Sequence, residues 1–281
     1  MTNNKFQQGT VATIFGWLLL FVLVPNVLVL IISFLTENRQ SAYFVDFSFS
    51  LESYKALFND TYATVLWNSF KMSAIATFFC LIIGYPFAFM IAKMPAKYRP
   101  ILLFLVVLPF WTNSLIRIYG IKIFLGVKGV LNETLLSLGL IDEPLRLLNS
   151  ELAIIIGLVY ILLPFMILPI YNAVQELPSS LIAASRDLGA TPWQTLKNVV
   201  IPLTMSGVRS GVQAVFIPSL SLFMLTRLIG GNRVITLGTA VEQHFLVTQN
   251  WGMGSTIGVI LIVAMIILMF VTRDRRKGGE A

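Results

Sequence analysis

Long apolar runs separated by short polar segments set the outline of this chain. Residues 11–35 are almost wholly apolar, long enough to cross a bilayer as helix, and Pro25 in their middle is expected to kink the span. The run is too long for a signal-peptide core and lacks a small-x-small cleavage site, so it reads as retained. Residues 36–67 are polar, acidic and aromatic-rich, which makes an outer loop able to touch a soluble partner. A second span covers 69–92, and 93–100 is a short basic inner loop. The third begins near Ile101 and runs outward through Leu108-Pro109-Phe110-Trp111-Thr112-Asn113-Ser114 to Arg117, its polar middle breaking an otherwise apolar helix and facing a bundle interior or cavity. A long outer segment, with room for short surface helices, leads to Glu151. The fourth span, 152–170, is broken at Pro164 and again at Pro169. A fifth starts near Gly207, holds Pro218, Ser219, Ser221 and Thr226, and ends at Gly230-Gly231. The chain from Asn232 to Trp251 lies outside, and 254–271 returns. The pattern predicts an all-α polytopic membrane protein of about six transmembrane helices with both termini inside. Its parts are a cytoplasmic tail over 1–10, a single transmembrane domain over 11–272 and a basic cytoplasmic tail over 273–281.

Composition agrees. A mean hydropathy of +0.83 with 57% hydrophobic residues lies far outside the soluble range. The net charge of +7 would point to nucleic acid in a soluble protein, but its placement points elsewhere. Lys93, Lys97, Arg99, Arg186, Lys197, Arg209, Arg273, Arg275, Arg276 and Lys277 crowd alternate loops. Glu37, Asp46, Glu52, Asp60, Glu133, Asp142, Glu143 and Glu151 crowd the others, and the basic loops belong in the cytoplasm. The bias is one of balance, since Arg39, Lys55, Lys122, Lys128, Arg146 and Arg233 fall in outer loops. One cysteine, Cys80, excludes a disulfide framework within the chain, and one histidine, His244, leaves no histidine cluster for a metal.

One polar island, residues 180–202 within a loop over 174–205, interrupts this pattern. Ser179, Ser180, Arg186, Asp187, Gln194, Lys197 and Asn198 place it in water. Ser180 is expected to cap a first short helix that ends at Gly189, where a left-handed residue is tolerated. Thr191 is expected to cap a second, with Pro192 at the first helical position and Gln194 completing a Thr-x-x-Gln capping box. Ala183-Ala184-Ser185, three residues to Gly189, then nine to Val199-Val200-Ile201-Pro202, resembles the cytoplasmic EAA loop of binding-protein-dependent ABC importer permeases. In that family the loop fits a cleft on the ATPase subunit and transmits its closure. The resemblance implies that Ala183, Ala184, Ser185, Asp187, Gly189 and Pro202 couple this chain to an ATPase. Two positions depart from the family pattern: Ala183 stands where Glu is usual, and Ser185 where Ala is usual. With Ser180 as the cap, a Glu at 183 would have completed a capping box, so its absence is expected to loosen the first turn by less than ~1 kcal/mol.

The run from Pro109 to Gly120, with Ile161-Leu162-Leu163-Pro164-Phe165-Met166 later, is similar to the B-type permease of spermidine/putrescine importers, and the likeness extends over nearly the whole chain. It implies the type I ABC importer permease fold: a five-helix core plus one N-terminal helix, moving by alternating access. It also implies a second permease forming a heterodimer with this chain, two ATPase subunits, an external solute-binding protein and a polyamine substrate, with no nucleic acid. No cofactor is implied in this chain, ATP and Mg²⁺ belonging to the partner ATPase.

A polyamine path should offer carboxylates, aromatic faces or carbonyl oxygens. Phe110, Trp111, Asn113 and Tyr160 are the expected lining, against the plainer reading of packing and interfacial anchoring. Arg117 and Arg227, toward the outer ends of spans, would repel a polyamine unless paired or turned aside. Arg117 is expected to snorkel to the interface. Arg227, with Thr226 beside it, stands where the resembling permeases tend to carry an acid, which suggests that the partner permease supplies most of the neutralising carboxylates. Glu151 and Glu242 read as solvated acids at outer helix ends, with attraction of a cation as the alternative. No HExxH, GxxxxGK[ST], GxSxG or pair of membrane carboxylates is present, so this chain is not expected to hydrolyse ATP. The rivals are a same-class permease for an amino acid, a phosphonate or a metal-chelate, and an ATP-independent channel or secondary carrier.

Overall fold

A chain segment without water to bind its amides satisfies them internally or not at all, and helix is the local solution. The computed structural model describes residues 4–37, 45–231 and 234–272, and their backbone is helical except for one small hairpin and the connections. Arg39, Asn232, Arg233 and the basic tail 273–281 lie outside the described residues. In chain order the elements are α1 (Gln8–Ile32), β1 (Leu35–Glu37), β2 (Val45–Phe49), α2 (Glu52–Ala56) and α3 (Asp60–Lys93). Next come α4 (Arg99–Val107), α5 (Ser114–Phe124), α6 (Val130–Ser137), α7 (Glu151–Gln175) and α8 (Ser179–Asp187). The chain continues through α9 (Pro192–Leu203), α10 (Met205–Ser221), α11 (Phe223–Gly230), α12 (Leu237–Glu242) and α13 (Trp251–Thr272). Among the described residues α1, α3, α7 and α13 are each long and apolar enough to cross a bilayer. Two bent pairs, α4 with α5 and α9 with α10, bring the total to six if each is one span.

The chain divides into two compact units. In the first, residues 1–65 with 240–264, α1 passes through a π-helical turn at Leu19–Leu23. Pro25 lies just beyond it, and since proline cannot donate to the preceding turn, a widened turn is one way to absorb the misfit. The strands pair antiparallel, Leu35 opposite Phe49. The Ser33 hydroxyl donates to the Leu30 carbonyl at 2.6 Å and, its one proton spent there, accepts from the Tyr54 hydroxyl at 2.8 Å.

In the second unit, residues 66–239 with 265–281, α7 is the centre. Ser150 caps it, its Oγ accepting from the Ala153 amide at 3.2 Å. The expected breaks at Pro164 and Pro169 do not occur: α7 is one helix from Glu151 to Gln175 with both prolines inside. Each proline costs on the order of 3 kcal/mol in a helix interior, but a break in a bilayer would strand more amides than the one that proline lacks, and eleven buried residues from Ala153 to Val174 hold the rod in place. Met166 is fully buried between two glycines. A Cβ at Gly84 of α3 would lie 3.0 Å from the Met166 side chain, and one at Gly211 of α10 would lie 2.7 Å from its sulfur. One turn earlier, a Cβ at Gly207 would come within 2.6 Å of both the Pro169 carbonyl oxygen and the Ala173 Cβ. The Gly-x-x-x-Gly spacing of 207 and 211 therefore lets α10 lie against the backbone of α7, the arrangement by which membrane helices pack closely without a hydrophobic driving force.

The third span, expected to be broken by the polar residues at its middle, is sharply bent there. After α4 the chain tightens into a 3₁₀ turn at Leu108–Trp111, Thr112 is extended, and α5 leaves at 94° to α4. Asn113 is the cap of α5, its side chain accepting from the Leu115 amide at 2.8 Å, and the Thr112 hydroxyl donates to the Pro109 carbonyl at 2.7 Å. The polar residues read as facing a cavity are thus first of all structural, since they satisfy a backbone that has been bent. The long segment between α5 and α7 is organised by Asn132, whose amide nitrogen donates to the Gly126 and Leu145 carbonyls while its oxygen accepts from the Leu145 amide.

Candidate functional site: a polar hairpin and a broken helix

The polar island folds as a helical hairpin. Helix α8 ends in a Schellman turn: the Ala190 amide donates to the Ser185 carbonyl at 3.1 Å and the Gly189 amide to the Arg186 carbonyl at 2.9 Å. Gly189 has φ +82° with open space where a side chain would point, so backbone conformation, not room, dictates glycine there. Thr191 opens α9 with the expected capping box: its Oγ1 accepts from the Gln194 amide at 3.3 Å and its own amide donates to Gln194 Oε1 at 2.8 Å. The start of α8 departs from expectation. Pro178, with ψ 125°, is the cap residue, and Ser179 and Ser180 are already helical. Residue 183 is therefore not at a capping-box position, and the expected loosening of the first turn by Ala183 falls away.

Ser185, the other departure from the family pattern, joins the two helices. Its hydroxyl donates to the Ile182 carbonyl at 2.9 Å and lies 3.0 Å from the hydroxyl of Thr195, which is 4% exposed. Since Ser185 spends its one proton on Ile182, Thr195 is the donor, and the bond pins α8 to α9. Ala183 and Arg186, with Phe89 and Lys93 from the end of α3 and Trp193 of α9, line an open groove of about 760 Å³. The Lys93 ammonium stands 5.6 Å from the Phe89 ring centre. Ala184 and Asp187 are exposed, and Leu188 at the tip is 89% exposed, as is Trp193 at 68%. Polar character in the sequence marks neither of these two. For Leu188 the signal that does is an apolar residue directly before the turn glycine of a polar hairpin. Beyond α9, whose π-helical turn at Leu196–Val200 precedes Pro202, the buried Thr204 lies 2.9 Å from the hydroxyl of Tyr85 on α3. The junction between α9 and α10 is thus hydrogen-bonded to a membrane-length helix.

The second locus is the α4–α5 elbow. Trp111 is 76% exposed, with its ring edge-on to Phe104 at 5.6 Å. Phe110 is half-buried, edge-on to Phe165 of α7 at 5.1 Å. Arg117 is not extended toward water as expected: its guanidinium carbon stands 4.7 Å from the centre of the Phe110 ring. Asn113 is exposed at the elbow, with its oxygen engaged as a cap. Tyr160 is exposed on α7, five residues before Phe165 and so about 140° around the helix from it. Thr226 is buried on α11, its hydroxyl donating to the Leu222 carbonyl at 3.2 Å, while Arg227 beside it is exposed. The structure therefore groups Phe110, Trp111 and Asn113 at one elbow and brings Arg117 and Phe165 to them. Glu151 pairs with Lys71 of α3 at 2.7 Å, so it is more than a solvated acid. In the first unit, His244 Nε2 lies 3.0 Å from the Tyr62 hydroxyl, beside a polar pocket of about 670 Å³. No cluster of three or more His, Cys, Asp or Glu suited to a metal exists among the described residues.

A family model described as the binding-protein-dependent transport system inner membrane component matches residues 84–273. The spermidine/putrescine transport system permease protein PotB of Haemophilus influenzae is 54% identical, over 96% of this chain and 93% of that one. Its namesake in Escherichia coli is 47% identical, over 93% and 94% of the two chains. Among solved structures, a bacterial alginate ABC transporter in complex with an alginate pentasaccharide-bound periplasmic protein contains a chain that matches at a TM-score of 0.77, covering 96% of this chain and 93% of that one. At 16% identity that likeness speaks to the fold alone.

Proposed function

This chain belongs to the binding-protein-dependent transport system inner membrane components, and from that membership we propose that it is the permease subunit through which an ATP-driven importer passes spermidine and putrescine. The observation that carries the solute is the 54% identity over 96% of the chain to a spermidine/putrescine permease. The chain works with a second permease, two ATPase subunits and an external solute-binding protein, and ATP and Mg²⁺ are held by the ATPases. Both termini lie in the cytoplasm.

The division of labour follows from the two loci. The hairpin of α8 and α9 carries exposed apolar Leu188 and Trp193 on a turn locked by Gly189, which suits a knob seated in a cleft of the ATPase. Closure of the ATPases moves Ala183, Ala184, Ser185, Asp187 and Gly189 as one body, because the Ser185–Thr195 bond and the Schellman turn join the two helices. The movement reaches α10 through Pro202 and α3 through the Tyr85–Thr204 bond, and the bundle rocks between inward and outward access.

The elbow supplies the path. Non-helical backbone at membrane depth is tolerated only where it is buried in protein or lines water, and a broken helix with exposed aromatics fits a cavity wall. Phe110 and Trp111 offer ring faces to ammonium groups, and Pro164 and Pro169 deprive the Tyr160 and Phe165 carbonyls of their ordinary helical partner four residues on, leaving oxygens suited to the same cations. The test is reconstitution with the companion permease, ATPase and binding protein in lipid vesicles. Spermidine and putrescine should stimulate ATP hydrolysis and accumulate inside, whereas amino acids, phosphonates and metal-chelates should do neither. Stimulation by one of those instead would overturn the choice of solute, and uptake without the ATPases would overturn the mechanism.

A further inference from the structure

Positions 110 and 117 would be separated along a straight helix by about 10.5 Å of rise. The 94° bend between α4 and α5 folds the chain back so that Arg117 lays its guanidinium over the Phe110 ring at 4.7 Å. The same side chain has its Nε buried with no hydrogen-bond partner among the described residues. An arginine placed for stability alone would have that donor satisfied, by a carboxylate or by carbonyls. Here the aromatic face is the contact, and the group that fills it is an organic cation, permanently charged.

We infer that Arg117 is a tethered surrogate for the substrate's ammonium group, occupying the Phe110 face in the resting path and yielding it when a polyamine arrives. This rests on the polyamine reading above. Three observations converge on it. Among the described residues the contact is held by a ring and not by an ion pair, so a second cation of similar chemistry competes for it directly. The ring belongs to the elbow, where the backbone is irregular and Trp111 stands exposed beside it. The partner ring Phe165 meets Phe110 edge to face at 5.1 Å, which fixes the Phe110 plane and keeps its face presented whichever cation is on it. The consequence is selectivity: a small monovalent ion cannot displace the guanidinium from the ring with much gain, whereas a multiply charged amine gains at its other ammonium groups while it does so.

The experiment places 4-fluorophenylalanine at position 110 and follows its fluorine resonance in the permease–ATPase complex in lipid nanodiscs, without the binding protein. Arg117→Gln should shift the resonance, because the ring loses its cation, and Arg117→Lys should shift it less. Spermidine should move the Arg117→Gln resonance back toward the wild-type position, and its dissociation constant should be roughly 2- to 30-fold lower than in wild type, the span a cation–π contact covers from exposed to desolvated sites. In Phe110→Leu, which carries no label and is followed by isothermal titration calorimetry instead, Arg117→Gln should bring no such gain. An unmoved resonance in Arg117→Gln, or spermidine binding weakened by it, overturns the surrogate role. If Arg117→Gln shifts the resonance but only a non-polyamine solute shifts it back, the contact stands, and what fails is the polyamine reading together with the mimicry built on it.

Discussion

Replacing Gly207 by alanine tests the close approach on which both arms of the proposed lever depend. The added methyl would sit 2.6 Å from the Pro169 carbonyl oxygen and 2.6 Å from the Ala173 Cβ, where ordinary contact begins at 3.4 Å. Neither neighbour is the end of a flexible side chain: one is backbone, the other a Cβ. Relief therefore requires α7 and α10 to move apart by several tenths of an ångström, and overpacking of this kind costs about 1–3 kcal/mol. Gly120, in α5, is the control, since nothing lies within 4 Å of its Cβ position, and alanine there should stabilise by up to ~1 kcal/mol through helix propensity. The propensity gain applies at both positions, so the difference between the two variants isolates the clash. Unfolding of the purified complex, titrated with denaturing detergent, should place Gly207→Ala at least ~1 kcal/mol below Gly120→Ala. Solute transported per ATP should fall in Gly207→Ala as well, because α7 leads into the hairpin and α10 leads out of it. Equal stability of the two variants, within the ~0.5 kcal/mol that surface changes ordinarily cause, would refute the close packing of α7 on α10.

The hairpin makes further predictions. At Gly189, where φ is +82°, Asn should be nearly neutral, whereas Val should cost at least ~1–2 kcal/mol locally and uncouple ATP hydrolysis from uptake without affecting insertion; equal coupling by Asn and Val would contradict the left-handed turn. A double-mutant cycle of Ser185→Ala with Thr195→Val should return a coupling energy of ~0.5–1.5 kcal/mol in stability, and additivity would show that the two hydroxyls do not bond. Tyr85→Phe should lower the transport-to-hydrolysis ratio by removing the bond to Thr204, with surface expression unchanged; a normal ratio would take Tyr85 out of the relay. The Lys71–Glu151 pair, with side chains 37% and 42% exposed, should be worth only ~0.2–1 kcal/mol. Exchanging the two charges should restore less than the full value, because Glu151 occupies the first turn of α7, where a negative charge suits the helix dipole.

Much of the hairpin was legible because its signals are local. A Thr-Pro-x-Gln sequence makes a capping box and a proline-led first turn whatever surrounds it, and a glycine after a short polar helix makes a left-handed stop. Ser180 misled for a local reason too: Ser is a good cap, but Pro178 ahead of it already supplies the extended backbone that the cap position requires, so the helix begins sooner. The elbow was only half legible. Pro109 and the polar Thr112-Asn113-Ser114 run announce a discontinuity, but the bend of 94° and the return of Arg117 onto Phe110 depend on α5 packing against α11 and Phe110 against Phe165 of α7.

By itself, the pattern of apolar runs determined that this chain lives in a bilayer as helices, about how many such helices there are, and where water-facing segments interrupt them. Hydropathy, caps and turns depend on residues a few positions apart, and any sequence displays those directly. What only the tertiary structure decided is which discontinuities are real and what they hold. Pro164 and Pro169 leave α7 whole because its packed faces outweigh the lost amide bonds, Gly207 and Gly211 matter because another helix presses on them, and Arg117 finds a ring instead of water. Each of these outcomes is a competition between a local preference and contacts made by residues far away in the chain, and it is settled only when the helices are packed together.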